Sequence, residues 1–577
     1  MRQFLAGSVA LSLSLTIPLR VAAEEKAIDW EQARKFWSFQ VPSKPPRPPV
    51  ESVSWVRREL DHFVLHRLEA AGLRPETEAE RATLLRRLSF DLTGLPPTAD
   101  ETEAFALSSD PEAYSRAVDD LLGSPRFGER MASMWMTVAR YAEDQAHQVG
   151  NNAKSFYPHA HRYRQWVIDA FNRDLPYNEF VRLQLAADSE GEDDLEALGF
   201  LGLGPQYYNR GRLDVIAEEW EDRVDTVTRG FLGLTVACAR CHDHFYDPIT
   251  TRDYHALAGV FASIKMEKRK VGDREMHIVK DQKVKDLEIF IRGNVEDKGP
   301  KVPRGFLRIL SASEERVRFV DGSGRKELAE AIVDPRNPLT ARVMVNRLWG
   351  EIFGVPLVAT ASNFGANGQE PTHPELLDYL AVKFQEDRWS IKSLVRELVL
   401  SATYRQAVTR SEDNRLLAGT NRRRLSAEML RDSMLAASGE LEFGTGSSRD
   451  LDDLKNRRRT VFARISRKEL NSFLRQFDYP DANVHAAGRA STITPTQKLY
   501  LLNSPFVSAR AAKVVEGLSG KGLEAGVKVL FDRILSRPPT RSELSHALRY
   551  FEGSSGDRDW AGFGQVLFCS NAFLYRD

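Results

Sequence analysis

The sequence predicts a mainly α fold: two helical domains with a small β-containing insert between them. Three observations predict it. Apolar residues recur at helical spacing over residues 55–265 and again over 326–577. The stretch 266–325 breaks that period with short β-branched and aromatic runs among scattered Gly and Pro. A chain of 577 residues is also long for a single core, so more than one domain is expected.

Residues 1–23 read as a signal peptide, with Arg2 at the start, an apolar stretch from Leu5 to Ile17, and Val21-Ala22-Ala23 before Glu24. That stretch is short and is followed by Pro18 and Arg20, and no later run is long enough to cross a bilayer. The expectation is an exported protein of the periplasm or cell envelope, with no integral membrane segment after the signal peptide. Residues 24–54 form an extended lead-in that includes Pro42-Ser43-Lys44-Pro45-Pro46-Arg47-Pro48-Pro49. Repeated proline fixes φ and removes amide donors, which favours polyproline II along a surface.

In residues 55–265, Phe63, Leu65, Leu68 and Leu73 mark a first helix and Ala82, Leu84, Leu85 and Leu88 a second. Leu95-Pro96-Pro97 stops the second, and Thr98 with Glu101 makes a capping box for the next. Further helices are expected over Ala113–Leu122, Arg130–Tyr141, Tyr163–Asn172 and Tyr177–Ala187. In the insert, Ile278-Val279-Lys280, Ile289-Phe290-Ile291 and Val317-Arg318-Phe319-Val320 read as short strands. Beyond it, Asn337-Pro338-Leu339-Thr340 starts a helix running to Phe353. Pro374, after Thr372 and His373, starts another over Glu375–Gln385.

Lysine plus arginine equals aspartate plus glutamate at 81 each, so no global field recruits nucleic acid, and no nucleic-acid partner is expected. The local runs Arg422-Arg423-Arg424 and Arg457-Arg458-Arg459 read as solvated helix faces. No nucleophile elbow, phosphate loop, dinucleotide fingerprint or metalloprotease helix occurs, which removes the common enzyme classes.

The strong chemical signal is Cys238-Ala239-Arg240-Cys241-His242. Thiols three positions apart on one helical turn can form thioethers to two haem vinyl groups, and the histidine that follows can be the proximal iron ligand. The cofactor expected is therefore haem c, covalent through Cys238 and Cys241, with His242 on the iron. Two other readings use the same residues: a local disulfide, or a zinc-type ion held by Cys238, Cys241, His242 and His244. Unmodified thiols are a third. Only one further cysteine occurs, Cys569, so no disulfide framework staples the chain. A sixth iron ligand has no single candidate among His147, His159, His161, Met134 and Met136.

The segment Thr235–Ile249, reading TVACARCHDHFYDPI, resembles the signature of exported planctomycete-type cytochrome-c-domain proteins carrying the paired domains of unknown function 1549 and 1553. The resemblance extends over nearly the whole mature chain. In the first domain it includes Arg87–Pro97, Ala139–Ala142 and Trp166–Asp174; in the second, Asp334–Arg347, Pro371–Leu377, Ser401–Arg405 and Leu502–Phe506. It implies two helical domains, 55–265 and 326–577, around the insert. Members of that family tend to sit beside sulfatases and polysaccharide-processing enzymes, and the resemblance implies no settled activity. Many such proteins carry a separate N-terminal cytochrome domain, whereas here Cys238 belongs to the one haem motif in the sequence.

The functional expectation is an exported haem c-binding oxidoreductase. Its partners would be a small-molecule or polysaccharide-derived substrate and an electron acceptor. The alternative is a cell-envelope binding or scaffolding protein in which the two cysteines form a disulfide or bind an ion. Arg140, Tyr141, Glu143 and Asp144 are weak catalytic candidates, weighed against plain surface charge at a helix end. Around the motif, Asp243, His244 and Asp247 are candidates for raising the basicity of the ligating histidine. Arg223 and Asp225 could hold haem propionates or substrate hydroxyls, or form an ordinary intrahelical ion pair.

Overall fold

The computed structural model describes residues 28–145, 156–207, 209–311, 316–409, 411, 413–518, 520–552 and 559–577. The signal-peptide segment and His147 lie outside these residues. The chain is mostly helical, with small antiparallel β pairs between helical stretches.

Local signals build the helices as the sequence leads one to expect. The helix Arg81–Thr93 ends where Gly94 takes φ +71°, and Thr98 and Glu101 form a reciprocal capping box for Ala99–Leu107. The helix Pro125–Val138 begins at a Ser124 cap with proline in its first turn, earlier than the expected Arg130. His161–Asn172, Tyr177–Ala186 and Thr340–Phe353 follow their patterns, and His373 is the residue before the first turn of Pro374–Glu386.

In the insert, β1 (Ile264–Val271) and β2 (Arg274–Asp281) form a hairpin whose register runs from Ile264 opposite Asp281 to Val271 opposite Arg274. A two-residue turn with Gly272 at φ +60° closes it. A second pair joins β3 (Leu287–Phe290) to β4 (Lys298–Val302). Arg318, inside the expected third run, makes only an isolated bridge to Gly305.

The two halves interlock. Arg325–Val333 packs on Tyr177–Ala186, Pro374–Glu386 on Glu59–Ala70, and Ile391–Val399 on Ala113–Gly123. Buried apolar side chains form one main core, from Phe39 to Leu574. Buried polar groups cross it as well. The Asp61 carboxylate accepts from the Ala402 and Thr403 amides, both at 2.9 Å, and from Thr403 Oγ1 at 2.7 Å. The lead-in is tied to the second half, with Trp37 against Phe364 at 5.7 Å and Arg342 donating to the Gln40 carbonyl at 2.6 Å.

The arginine runs are not solvated helix faces. Arg423 and Arg424 form a short strand paired with Tyr575 and Arg576. Arg459 is buried between Glu129 at 2.8 Å and Asp432 at 3.0 Å and donates to the Thr93 carbonyl. Single-sequence charge counting misses this, because the balancing carboxylates come from distant elements. Among the described residues, no helix is long and apolar enough to cross a membrane.

Candidate functional site

The helix Leu213–Val227 runs into a π-helical turn, Thr228–Leu232, which Gly233 ends at φ +60°. A Cβ on Gly233 would lie 2.9 Å from the Phe364 ring, and the Gly233 carbonyl accepts from the Phe364 amide at 2.8 Å. Only glycine allows both the left-handed backbone and that approach. The chain then winds into a short 3-10 turn, Val236–Arg240, which carries Cys238 and hands over to Cys241.

Cys238, Cys241 and His242 are all exposed, and both thiols are free. His242 Nδ1 lies 2.7 Å from the Asp243 carbonyl, which can only accept. In the neutral ring Nδ1 therefore carries the proton, and Nε2 has a lone pair directed away from that bond. Metal-bound histidines commonly anchor their other nitrogen in this way. The His242 ring lies 4.3 Å from the ring of Phe245, and Phe245 and Tyr246 are 77% and 63% exposed.

The residues around these three turn inward and hold the loop. Asp243 Oδ1 accepts from the Thr251 amide at 2.8 Å and from its hydroxyl at 3.2 Å, at the start of the helix Thr251–Ala262. His244 Nδ1 accepts from the Asp247 amide at 2.9 Å, so its Nε2–H donates to Thr235 Oγ1 at 3.0 Å. Burial pushes the His244 pKa down, with Asp247 opposing and His242 adding to the effect. Asp247 is buried, and its Oδ1 accepts from the Ala366 amide of the second half at 2.7 Å. A Cβ on Gly365 would stand 2.2 Å from Asp247 Oδ2.

The insert reaches the motif from the other side. A Cβ on Gly293, which sits at φ +76°, would meet Cys241 Sγ at 2.4 Å. His255 Nε2 accepts from the Phe290 amide at 3.0 Å and its Nδ1 donates to the Thr251 carbonyl, pinning β3 to the helix below the motif. Neither Gly293 nor Gly365 was visible as a site residue in the sequence, since each acts through a long-range contact of its backbone.

The remaining candidates lie elsewhere. Arg223 is buried and donates to the Glu219 carbonyl, and Asp225 pairs with Arg229 one helical turn on at 2.6 Å. Arg140 is buried against Asp222 at 2.7 Å. Glu143 lies in a buried cluster with Tyr141, Arg164 and Ser448, where burial raises its pKa and Arg164 opposes the rise. Asp144 accepts from the Arg467 amide and from Ser466. Arg140, Tyr141, Glu143 and Asp144 thus face protein partners, and those of Glu143 and Asp144 include Ser448, Ser466 and Arg467 of the second half. Met134 and Met136 are in the core, and His159 pairs with Glu275 at 2.7 Å.

Two free thiols and a histidine with a lone pair on Nε2 are the donor set that a thioether-linked haem uses, so the residues present fit that group. Among the described residues, no group of three or more His, Cys, Asp or Glu side chains is arranged to hold a metal ion by itself. Fold and motif together define a protein of two interlocked helical halves joined through a β-containing insert, with a Cys-x-x-Cys-His turn at its surface. Residues 59–266 match the family model PSCyt2, protein of unknown function DUF1549, and residues 324–551 match PSD1, protein of unknown function DUF1553. The chain belongs to the proteins carrying these paired domains, typical of planctomycete cytochrome-associated proteins. No curated protein and no solved structure matches it.

Proposed function

We propose that the chain is an exported haem c-binding protein, an oxidoreductase acting on a small or carbohydrate-derived substrate. In this reading Cys238 and Cys241 carry the thioethers and His242 Nε2 is the proximal ligand. The carrying observation is the division of labour in residues 238–249. Asp243, His244 and Asp247 are spent on holding the loop, while the two thiols and His242 stay exposed. A bound haem c would supply a one-electron acceptor whose potential the ligand set tunes.

The chain's own part is positional. The Asp243 carbonyl fixes the His242 tautomer, and Phe245 and Tyr246 offer an apolar edge beside it. Arg140, Glu143 and Asp144, tied to Arg467 and Ser448 of the second half, keep the two halves in register in this reading, with Tyr141 bonded to Glu143. The signal-peptide reading of residues 1–23 supports export, the setting in which haem c is attached.

The test is expression of the full chain in a periplasm competent for haem c maturation. The expected product shows a Soret band and the mass increase of one haem, neither cysteine can be alkylated, and Cys238→Ala with Cys241→Ala abolishes all three. His242→Ala should leave the mass increase and shift the Soret band. A product without absorbance or added mass, with both cysteines alkylatable after reduction, sinks the reading.

A further inference from the structure

A cleft of about 610 Å³ lies between the two halves, away from the cysteine turn. Its walls come from Gly94 and Arg130 of the first half and from the segments around Arg347, Arg423 and Arg489 of the second. The volume lies in the range of small-molecule sites. Its composition is unusual for a chain of zero net charge, because arginine dominates the lining.

Most of these arginines are matched by carboxylates. Arg130 pairs with Glu351 at 2.6 Å, Arg422 with Asp577 at 2.8 Å, and Arg459 with Glu129 and Asp432. Arg489 pairs with Glu428 and Arg576 with Asp91. Among the described residues, three are not so matched. Arg347 donates to the Gly230 carbonyl at 2.9 Å, and Arg424 to the Thr492 carbonyl and the Gln497 amide oxygen. Arg423 donates to the Glu351 carbonyl, and the carboxylate it reaches is Asp91 at 3.9 Å, which Arg576 already holds. Burial lowers the Arg423 pKa to about 10, with Glu351 opposing; the group stays charged at neutral pH.

A second, independent observation points the same way. Besides Arg576 Nη1, which lies against Asp91, three buried N–H groups on the lining, Arg130 Nε, Arg347 Nε and Asn421 Nδ2, have no hydrogen-bond partner among the described residues. Arg130 and Arg347 are only 8% and 5% exposed, and both side chains line the cleft. Arginine donors without a partner also occur away from the cleft, at Arg164, Arg223 and Arg467 among others; the three on the lining are set apart by standing beside a cavity that an acceptor can enter. All three are donors, and they sit among guanidinium groups whose planar forks match oxyanions.

We propose that this cleft binds a small anionic ligand through carboxylate, sulfate or phosphate oxygens, held by Arg347, Arg423 and Arg424. The inference does not depend on the haem reading, since the cleft shares no lining residue with the cysteine turn.

Calorimetric titration of the full mature chain at low salt, with inorganic sulfate, inorganic pyrophosphate and a digalacturonate as probes and maltose as the neutral control, tests it. Binding of at least one anion, without binding of maltose, is expected, and the preferred probe identifies the oxyanion. Arg424→Gln should weaken that binding about tenfold, the loss of one charge-assisted contact. Ala490→Glu adds a carboxylate at an exposed lining position, disturbs no buried contact, and should weaken it as much. A raised melting temperature with the anion, absent in Ala490→Glu, is the second readout. No binding of any anion at millimolar concentration overturns the proposal. So does binding that both variants leave unchanged.

Discussion

Cys241 Sγ and the Gly293 backbone meet so closely that residue 293 has no room for a methyl group, and its φ of +76° disfavours one independently. Gly293→Ala should therefore cost about 1–3 kcal/mol, the strain of an L-residue held in the left-handed region plus the contact it forces. The substitution also acts on chemistry, because the relief available is outward movement of the Cys241 side chain. In haem-free protein, mass-mapped alkylation should find Cys241 modified faster than in the parent chain and Cys238 unchanged. Equal rates at both cysteines would mean that the insert does not position the thiol. At the same scale, His242 owes its tautomer to a main-chain carbonyl, so no side-chain substitution nearby should flip it.

The loop from Asp243 to Thr251 behaves as one element, a bracket between the cysteine turn and the helix Thr251–Ala262. Asp243→Ala removes an acceptor from the first amide of that helix and from the Thr251 hydroxyl. The expected loss is about 1–2 kcal/mol, the size of a helix-start hydrogen bond. Hydrogen exchange should rise in peptides covering 241–252 and stay level in the hairpin β1–β2; a uniform rise would show that the bracket is not a local unit. Legibility also divides by element. The capping box of Thr98 and Glu101 and the proline-started helix at Pro374 were readable because their partners lie within one turn. Strand β1, IKMEKRKV, was not: its side chains are mostly charged, and its pairing with β2 rather than its hydrophobicity makes it a strand. The motif itself was legible from spacing, and so was a carboxylate presence beside it. What Asp247 does was not, since its hydrogen-bond donor, the Ala366 amide, is 119 residues further along the chain. The arginine cleft was hidden for the same reason: its walls come from segments that only the interlocking of the halves brings together.

Across the whole molecule, burial of uncharged histidine makes the fold sensitive to mild acid. His373 and His485 are buried, and burial with nearby Arg67 and Arg347 pushes their pKa values down to about 4 and about 3. His277 is likewise lowered to about 4 by burial and Lys268. In the unfolded chain each titrates near 6.5. Below that value the unfolded state binds protons that the folded state refuses, so stability falls as pH drops from about 6.5 toward about 4. Each histidine contributes up to about 1.4 kcal/mol per pH unit in that window. Glu129 and Glu143 act in the opposite direction, because burial raises their folded values and protonation then favours the folded chain. Glu351 and Glu428 add a further loss only below about 4.5, because their burial is outweighed by Arg130 and Arg489, which hold both values low. The onset of destabilisation is set by the histidines, well above the ordinary carboxylate range. Urea midpoints measured from pH 8 to pH 5 should hold steady down to about 6.5 and then decline. His485 donates Nδ1–H to the Val138 carbonyl and accepts from Ser362, so His485→Gln shifts absolute stability as well. The diagnostic quantity is therefore the slope, which His485→Gln and His373→Gln together should reduce by the share of two protons. A parent chain whose midpoint stays level from pH 6.5 to pH 5 would show that these histidines do not stay neutral in the fold.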